Sequence, residues 1–266
     1  MRFLSRSLRL ALVGGLAVAG TACLSSSDTV TGNNNTSYSL VRLVQAMSDT
    51  SVTFSFGSGQ ASGALAFGTY VPASGTICSS YTNYCQITAT PPLIATATGT
   101  SAPFYNQTAS SIAANGAFTV IALGHVASGA TPAATVAIIA DTTGVSSSTN
   151  ALVRVFNALD YVKSSATGTL VDVYIYPEGG TRPASPADTS LRALAWNTRS
   201  AYVSRVPADL VVDVFAAGAP STGTPLFSTT LTSLSANTIR TLVLANPGAG
   251  AAAGTAGTVI TLSDQN

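Results

Sequence analysis

Short runs of alternating apolar and polar residues recur along most of the chain. VTFSF places Val52, Phe54 and Phe56 on one side of an extended segment and Thr53 and Ser55 on the other. VDVYIY does the same with Val171, Val173 and Ile175 against Asp172, Tyr174 and Tyr176. A period of two predicts strands with one face buried. FTVIAL and RTLVLA, apolar at successive positions, predict central strands covered on both faces. Between the runs stand SGQASG, PEGG, AAGAP and NPGAGAAAG, whose residues favour turns. Outside the amino-terminal leader no long stretch has a helical period, so the expected fold is all-β.

The pattern occurs twice. LVRLVQA at Leu40 to Ala46 returns as LVRVFNA at Leu152 to Ala158, and ALAF at Ala64 to Phe67 returns as ALAW at Ala193 to Trp196. SIAANGAFTVIAL at Ser111 to Leu123 returns as SLSANTIRTLVLA at Ser233 to Ala245, and TVAIIAD at Thr135 to Asp141 returns as TVITLSD at Thr258 to Asp264. The order is kept while the offset drifts, which places insertions in connections and makes a tandem duplication the plain explanation. The polar TTGVSSSTN, Thr142 to Asn150, marks the boundary. Roughly seven short strands in each copy is the pattern of an immunoglobulin-like β-sandwich; a transthyretin-like arrangement or a partly open barrel would leave the same pattern. The expected organisation is a signal helix over 1–22, a tether over 23–37, and two sandwiches over 38–145 and 146–266.

Composition changes the picture mainly at the amino terminus. Arg2, Arg6 and Arg9, an apolar run from Leu10 to Ala19 and small residues up to Cys23 have the layout of an export signal. That run is shorter than the ~20 residues a spanning helix needs. GTAC resembles the lipobox of bacterial lipoproteins, in which the cysteine becomes the lipid-bearing first residue of the mature chain. Gly20 departs from the usual leucine, and cleavage after Ala22 without lipidation is the alternative. Leu24 stands where an inner-membrane retention signal would place Asp, so the resemblance implies an outer-membrane lipoprotein lipidated at Cys23. Several acyl chains, at ~0.8 kcal/mol per buried CH2, would hold the body firmly on a membrane. Of eleven Lys and Arg, three lie in the leader, which leaves eight against ten acidic residues. That balance predicts no nucleic-acid partner. The partner expected is a membrane, through the lipid anchor, together with an envelope protein or glycan.

Beyond the anchor, VRxxxA, VDVYIY, ALAF or ALAW, and AN followed by an apolar strand together resemble the DUF4397 family of bacterial and archaeal surface domains. The resemblance covers both copies. It implies exported β-sandwich modules, often tandem, with no established activity. Thr53 stands where the second copy has Asp172, so a role for that acidic position could be filled only by the second copy.

Candidate chemistry is sparse. Cys78 and Cys85 enclose SSYTNY, a spacing suited to a disulfide across a hairpin or loop, worth about 2.5 kcal/mol in the chain-entropy model. Two such thiols with a single histidine cannot complete a tetrahedral metal shell, and no metal or cofactor is expected. His125, the sole histidine, would have to serve any Ser-His-Asp site; a loop histidine at a strand exit is the simpler reading. Asp172 and Asp213 could pair as glycosidase carboxylates, but alternation with inward valines predicts two solvated aspartates. Asp141 and Asp264 end equivalent strands and could ligate calcium, without the density of acids that usually requires. Trp196, Tyr202, Tyr174 and Tyr176 could stack on sugar. The equivalence of Trp196 with Phe67 points instead to a core anchor. Arg42 and Arg154, equivalent and set inside apolar strands, suggest a structural ion pair or an edge guard. The expectation is a non-enzymatic envelope lipoprotein displaying two sandwiches for surface structure, adhesion or assembly, with carbohydrate or peptidoglycan binding as the alternative.

Overall fold

The computed structural model describes residues 38–57, 60–71, 84–88, 91–142, 149–160, 170–248 and 257–264. The leader, the tether, Cys23 and Cys78 lie outside the described residues. The first copy contains β1 (Tyr38–Gln45), β2 (Val52–Phe56), β3 (Gln60–Leu65), β4 (Tyr70–Val71), β5 (Cys85–Thr88), β6 (Leu93–Ala97), β7 (Tyr105–Gln107), β8 (Ala117–Leu123) and β9 (Thr135–Ala140). The second contains β10 (Ala151–Asn157), β11 (Val171–Pro177), β12 (Thr198–Arg199), β13 (Val203–Arg205), β14 (Ala208–Ala216), β15 (Phe227–Leu234), β16 (Ile239–Ala245) and β17 (Thr258–Ser263), with a 3-10 turn at Thr189–Leu191. The fold is all-β. The surplus over seven strands per copy comes from short pieces such as β4, β7, β12 and β13, of two or three residues each.

Each copy is a sandwich of two sheets. In the first, β1 lies beside β8, which lies beside β9, and β4 and β5 follow one another along the free edge of β1. The second sheet has the order β3-β2-β6-β7. The second copy repeats the first sheet with β10, β16 and β17, edged by β12 and β13, and faces it with β11-β14-β15. β1 runs parallel to β8 and β10 parallel to β16, with Leu40 opposite Ala117 and Leu152 opposite Ile239. The LVR strings are therefore the inner strands on which each copy is built.

Among the described residues the second copy has no full counterpart of β3, and a single bridge, Val171 to Leu194, stands where β3 pairs with β2 in the first copy. The intervening segment carries Pro183 and Pro186, which have no N–H to give a ladder.

The doubly apolar strands explain how the copies meet. In β8, Phe118, Val120 and Ala122 face the core of the first sandwich, while Ile121 and Leu123 face the opposite way. In β16, Leu242 and Leu244 face the second sandwich core, and Val243 and Ala245 face away from it. The outward sets, joined by Val44, Ile139, Phe156, Ile260 and Leu262, form a third core shared by both copies. Each large apolar side chain fully buried there contributes about 1.5–3 kcal/mol. Four sheets are thus stacked with three cores between them, and Thr36–Asn266 forms one compact unit.

Candidate functional site

The two arginines lie on the shared face. Period-two alternation puts Arg42 beside Val44 and Arg154 beside Phe156, both pointing between the copies. Arg42 Nη2 lies 2.7 Å from Asp264 Oδ1, and Nη1 donates to the Ser263 carbonyl at 2.5 Å. Arg154 reciprocates by pairing through Nη2 with Asp141 Oδ1 and donating from Nη1 to the Ala140 carbonyl at 2.8 Å. The carboxylate of the arginine's own copy is farther away, 3.5 Å for Arg42 to Asp141 and 3.7 Å for Arg154 to Asp264. All four side chains are fully buried. Thr119 and Thr241 bridge the set, each accepting from the arginine of its copy and donating to Asp141 and Asp264 respectively.

Two tyrosines close the ends. Tyr84 OH donates to Asp141 at 2.9 Å while Arg42 lies over its ring, and Tyr202 OH donates to Asp264 at 2.8 Å under Arg154. Burial pushes both phenols above their ordinary pKa. Burial alone would lower Arg42, but the phenol of Tyr84 and the Asp141 and Asp264 carboxylates outweigh it and hold the guanidinium charged. Asp141 and Asp264, weighed above as calcium ligands, are therefore counter-ions to buried arginines. Among the described residues no group of three His, Cys, Asp or Glu side chains is placed to hold a metal.

A cleft of about 490 Å3 opens where the two copies meet at the ends of β8 and β16, lined among others by Ser48, His125, Thr131, Asp160 and Asn246. Gly124 delivers His125 to it. At φ +88° this glycine turns the chain out of β8, and a Cβ there would stand 2.5 Å from the Ala133 carbonyl oxygen. His125 Nε2 lies 2.8 Å from Asp160 Oδ2 and Nδ1 lies 3.5 Å from Asp49 Oδ2. Asn246 holds Asp160 from the other side, donating to Oδ1 from its side chain and accepting from the Asp160 N–H at 3.1 Å. Burial raises the Asp160 carboxyl above its ordinary pKa, and His125 opposes the rise. Both ring nitrogens face carboxylates, so neither is aimed at the hydroxyl a Ser-His-Asp mechanism would activate. The sequence identified His125 but missed Asp160 and Asn246, whose only signal was their position just past the second copy's inner strands.

The outer-face aspartates correct an expectation. Asp172 and Asp213 were expected in solvent, yet Asp213 is 1% exposed and Asp172 9%. Asp172 accepts from the backbone N–H groups of Ala193 and Gly218, at 2.7 and 2.9 Å, and so ties two connecting loops to β11. Asp213 accepts from Tyr176 OH at 2.7 Å and Arg182 Nε at 2.6 Å. Burial alone would raise the Asp213 carboxyl, but hydrogen bonds from Ser228, Tyr176 and Arg182 hold it below the usual range. The β3-less segment, which carries Arg182 over the Phe215 ring, is what covers this face.

The aromatic residues are dispersed. Trp196, Phe67 and Tyr70 pack half-buried against the shared core, while Tyr174 is buried edge-on to Phe215. Gly248 of the second copy lies against the Phe67 ring so closely that a Cβ would meet it at 2.7 Å. Cys85, 3% exposed at the start of β5, is disulfide-bonded. No helix among the described residues is long and apolar enough to cross a membrane. No protein-family model matches the chain, and no curated protein matches it.

Proposed function

We propose that this protein is a non-enzymatic envelope lipoprotein, exported and lipidated at Cys23, that presents two joined β-sandwiches as one stiff body for surface structure, adhesion or assembly. The observation that carries the reading is the shared core with its reciprocal Arg–Asp pairs. A display element must hold its outer faces at a fixed separation, and a buried apolar layer pinned by buried charges does that where a flexible linker would not. The amino-terminal layout of arginines, apolar run and GTAC supports the anchor. The resemblance to DUF4397 modules accords with an exported β-sandwich role. A carbohydrate- or peptidoglycan-binding role through the second copy's aromatic residues draws less support, because Trp196 packs on the shared core and Tyr174 is buried.

The anchor is tested by mass spectrometry of the mature amino terminus from membrane fractions, beside a Cys23→Ser variant. A diacyl- or triacyl-glyceryl Cys23, with the variant released to the soluble fraction, is expected. A free Cys23 or a mature start at another residue would overturn the reading.

A further inference from the structure

The second sandwich is open along a side that the first closes. Among the described residues β15 pairs with β14 alone and β17 with β16 alone. Between these two edges lies a groove of about 220 Å3 lined by Thr230, Leu231, Thr232, Leu234, Arg240 and Thr261. In the first sandwich the matching outer strand, β7, has three residues against the eight of β15. Val41 stands opposite Phe118 and Val153 opposite Arg240, so with the two LVR strings aligned Phe118 and Arg240 hold the same place. Phe118 is buried in the first core. Arg240, on the side of β16 that carries Leu242, puts a guanidinium at the rim of the second.

Arg240 is reachable, and no carboxylate neutralises it. Nη1 donates to Ser263 Oγ at 2.7 Å, while among the described residues Nε and Nη2 have no hydrogen bond and the guanidinium is in no ion pair. Both nitrogens stay open to solvent. Their edge is the side of arginine that takes two oxygens of one carboxylate in parallel hydrogen bonds. The groove is small beside the ~300–1,000 Å3 of pockets that enclose a whole small molecule, and suits a single side chain. Alongside it β15 presents unpaired backbone N–H and C=O groups. The strand, FSTTLTSL, has neither the charge nor the proline that usually guards such an edge. A free edge beside a side-chain pocket is what an extended peptide needs to add itself as a strand.

We propose that β15 binds an extended peptide as a further strand, with an acidic side chain of that peptide entering the groove onto Arg240. A second copy of this chain pairing β15 to β15 would bring no acid for the arginine, because FSTTLTSL carries none. The first sandwich, with Phe118 and the short β7, has no such site, so the protein takes one strand at this edge and not two. Such binding follows from the fold and does not require lipid at Cys23.

The test is selection of a phage-displayed random heptapeptide library on the full chain, followed by NMR and calorimetric titration with a selected peptide. Glu or Asp is expected to be enriched at one position among β-forming neighbours, and the peptide to shift the backbone amides of residues 227–232. Changing its acidic residue to the amide is expected to weaken binding about 10-fold, as loss of one charge-assisted pair does. Arg240→Phe, which installs the first copy's residue, is expected to abolish binding. Arg240→Gln, which keeps a donor for Ser263, is expected to bind the acidic and amide peptides equally and serves if the phenylalanine variant does not fold. A selection that enriches no acid, or the same acid on Arg240→Gln, binding retained in Arg240→Phe, or shifts that spare β15 would overturn the assignment. So would sedimentation showing a dimer of the chain paired through β15, since a second copy would then be the occupant.

Discussion

Arg42 and Arg154 show how much one residue's meaning depends on the partner the fold supplies. The repeat made them equivalent and made an ion pair a reasonable expectation, and Asp141 and Asp264 could be recognised as equivalent to each other. What the repeat could not tell is that each arginine's nearest carboxylate belongs to the opposite copy, because equivalence between positions says nothing about which copy donates the partner. Removing one member of a buried pair leaves an uncompensated charge, at a cost of about 3–5 kcal/mol. Arg154→Met is expected to lose stability on that scale in urea unfolding, and the double variant Arg154→Met with Asp141→Leu to recover part of it, as apolar replacement of a whole pair does. Asp172 and Asp213 were misjudged for a related reason. Alternation with valine correctly put them on the outer face of β11 and β14, but it carries no information on whether a loop covers that face. Here the Pro-rich segment bearing Arg182 does.

At the scale of elements the sequence was most legible where the pattern was strongest. Half-buried β2 follows from strict alternation and the two-sided burial of β8 and β16 from its absence, but β11, which alternates as strictly as β2, is buried on both faces from Val171 to Ile175 because loops cover its outer side. The nature of the second cover was hidden, since an apolar outer face is satisfied equally by a helix, another sheet or a partner. Short strands such as β4 and β12 escaped notice because two residues carry no period. The two faces of a central strand make separable predictions. Ile121→Ala cuts into the shared core and Leu242→Ala into the core of the second sandwich. Each is expected to cost about 2–5 kcal/mol, measured by chemical denaturation. A negligible effect of Ile121→Ala alone would mean that the copies do not bury that face in solution.

At the scale of the whole molecule, the shared core makes the two copies one folding unit. Urea unfolding followed by Trp196 fluorescence, which reports on the shared layer, and by hydrogen exchange in β2 and β14, which report on the outer sheets, is expected to give coincident midpoints. Two resolved transitions would indicate sandwiches that melt separately. The crossed pairing of Arg42 with Asp264 and Arg154 with Asp141 also bears on how such a chain can change over generations. A deletion that discarded either half would strip the survivor's arginine of its nearest counter-charge and lay bare a greasy sheet, so gene loss cannot simply undo the doubling. Drift at Asp264 is likewise answerable to a residue encoded more than two hundred codons upstream, at position 42.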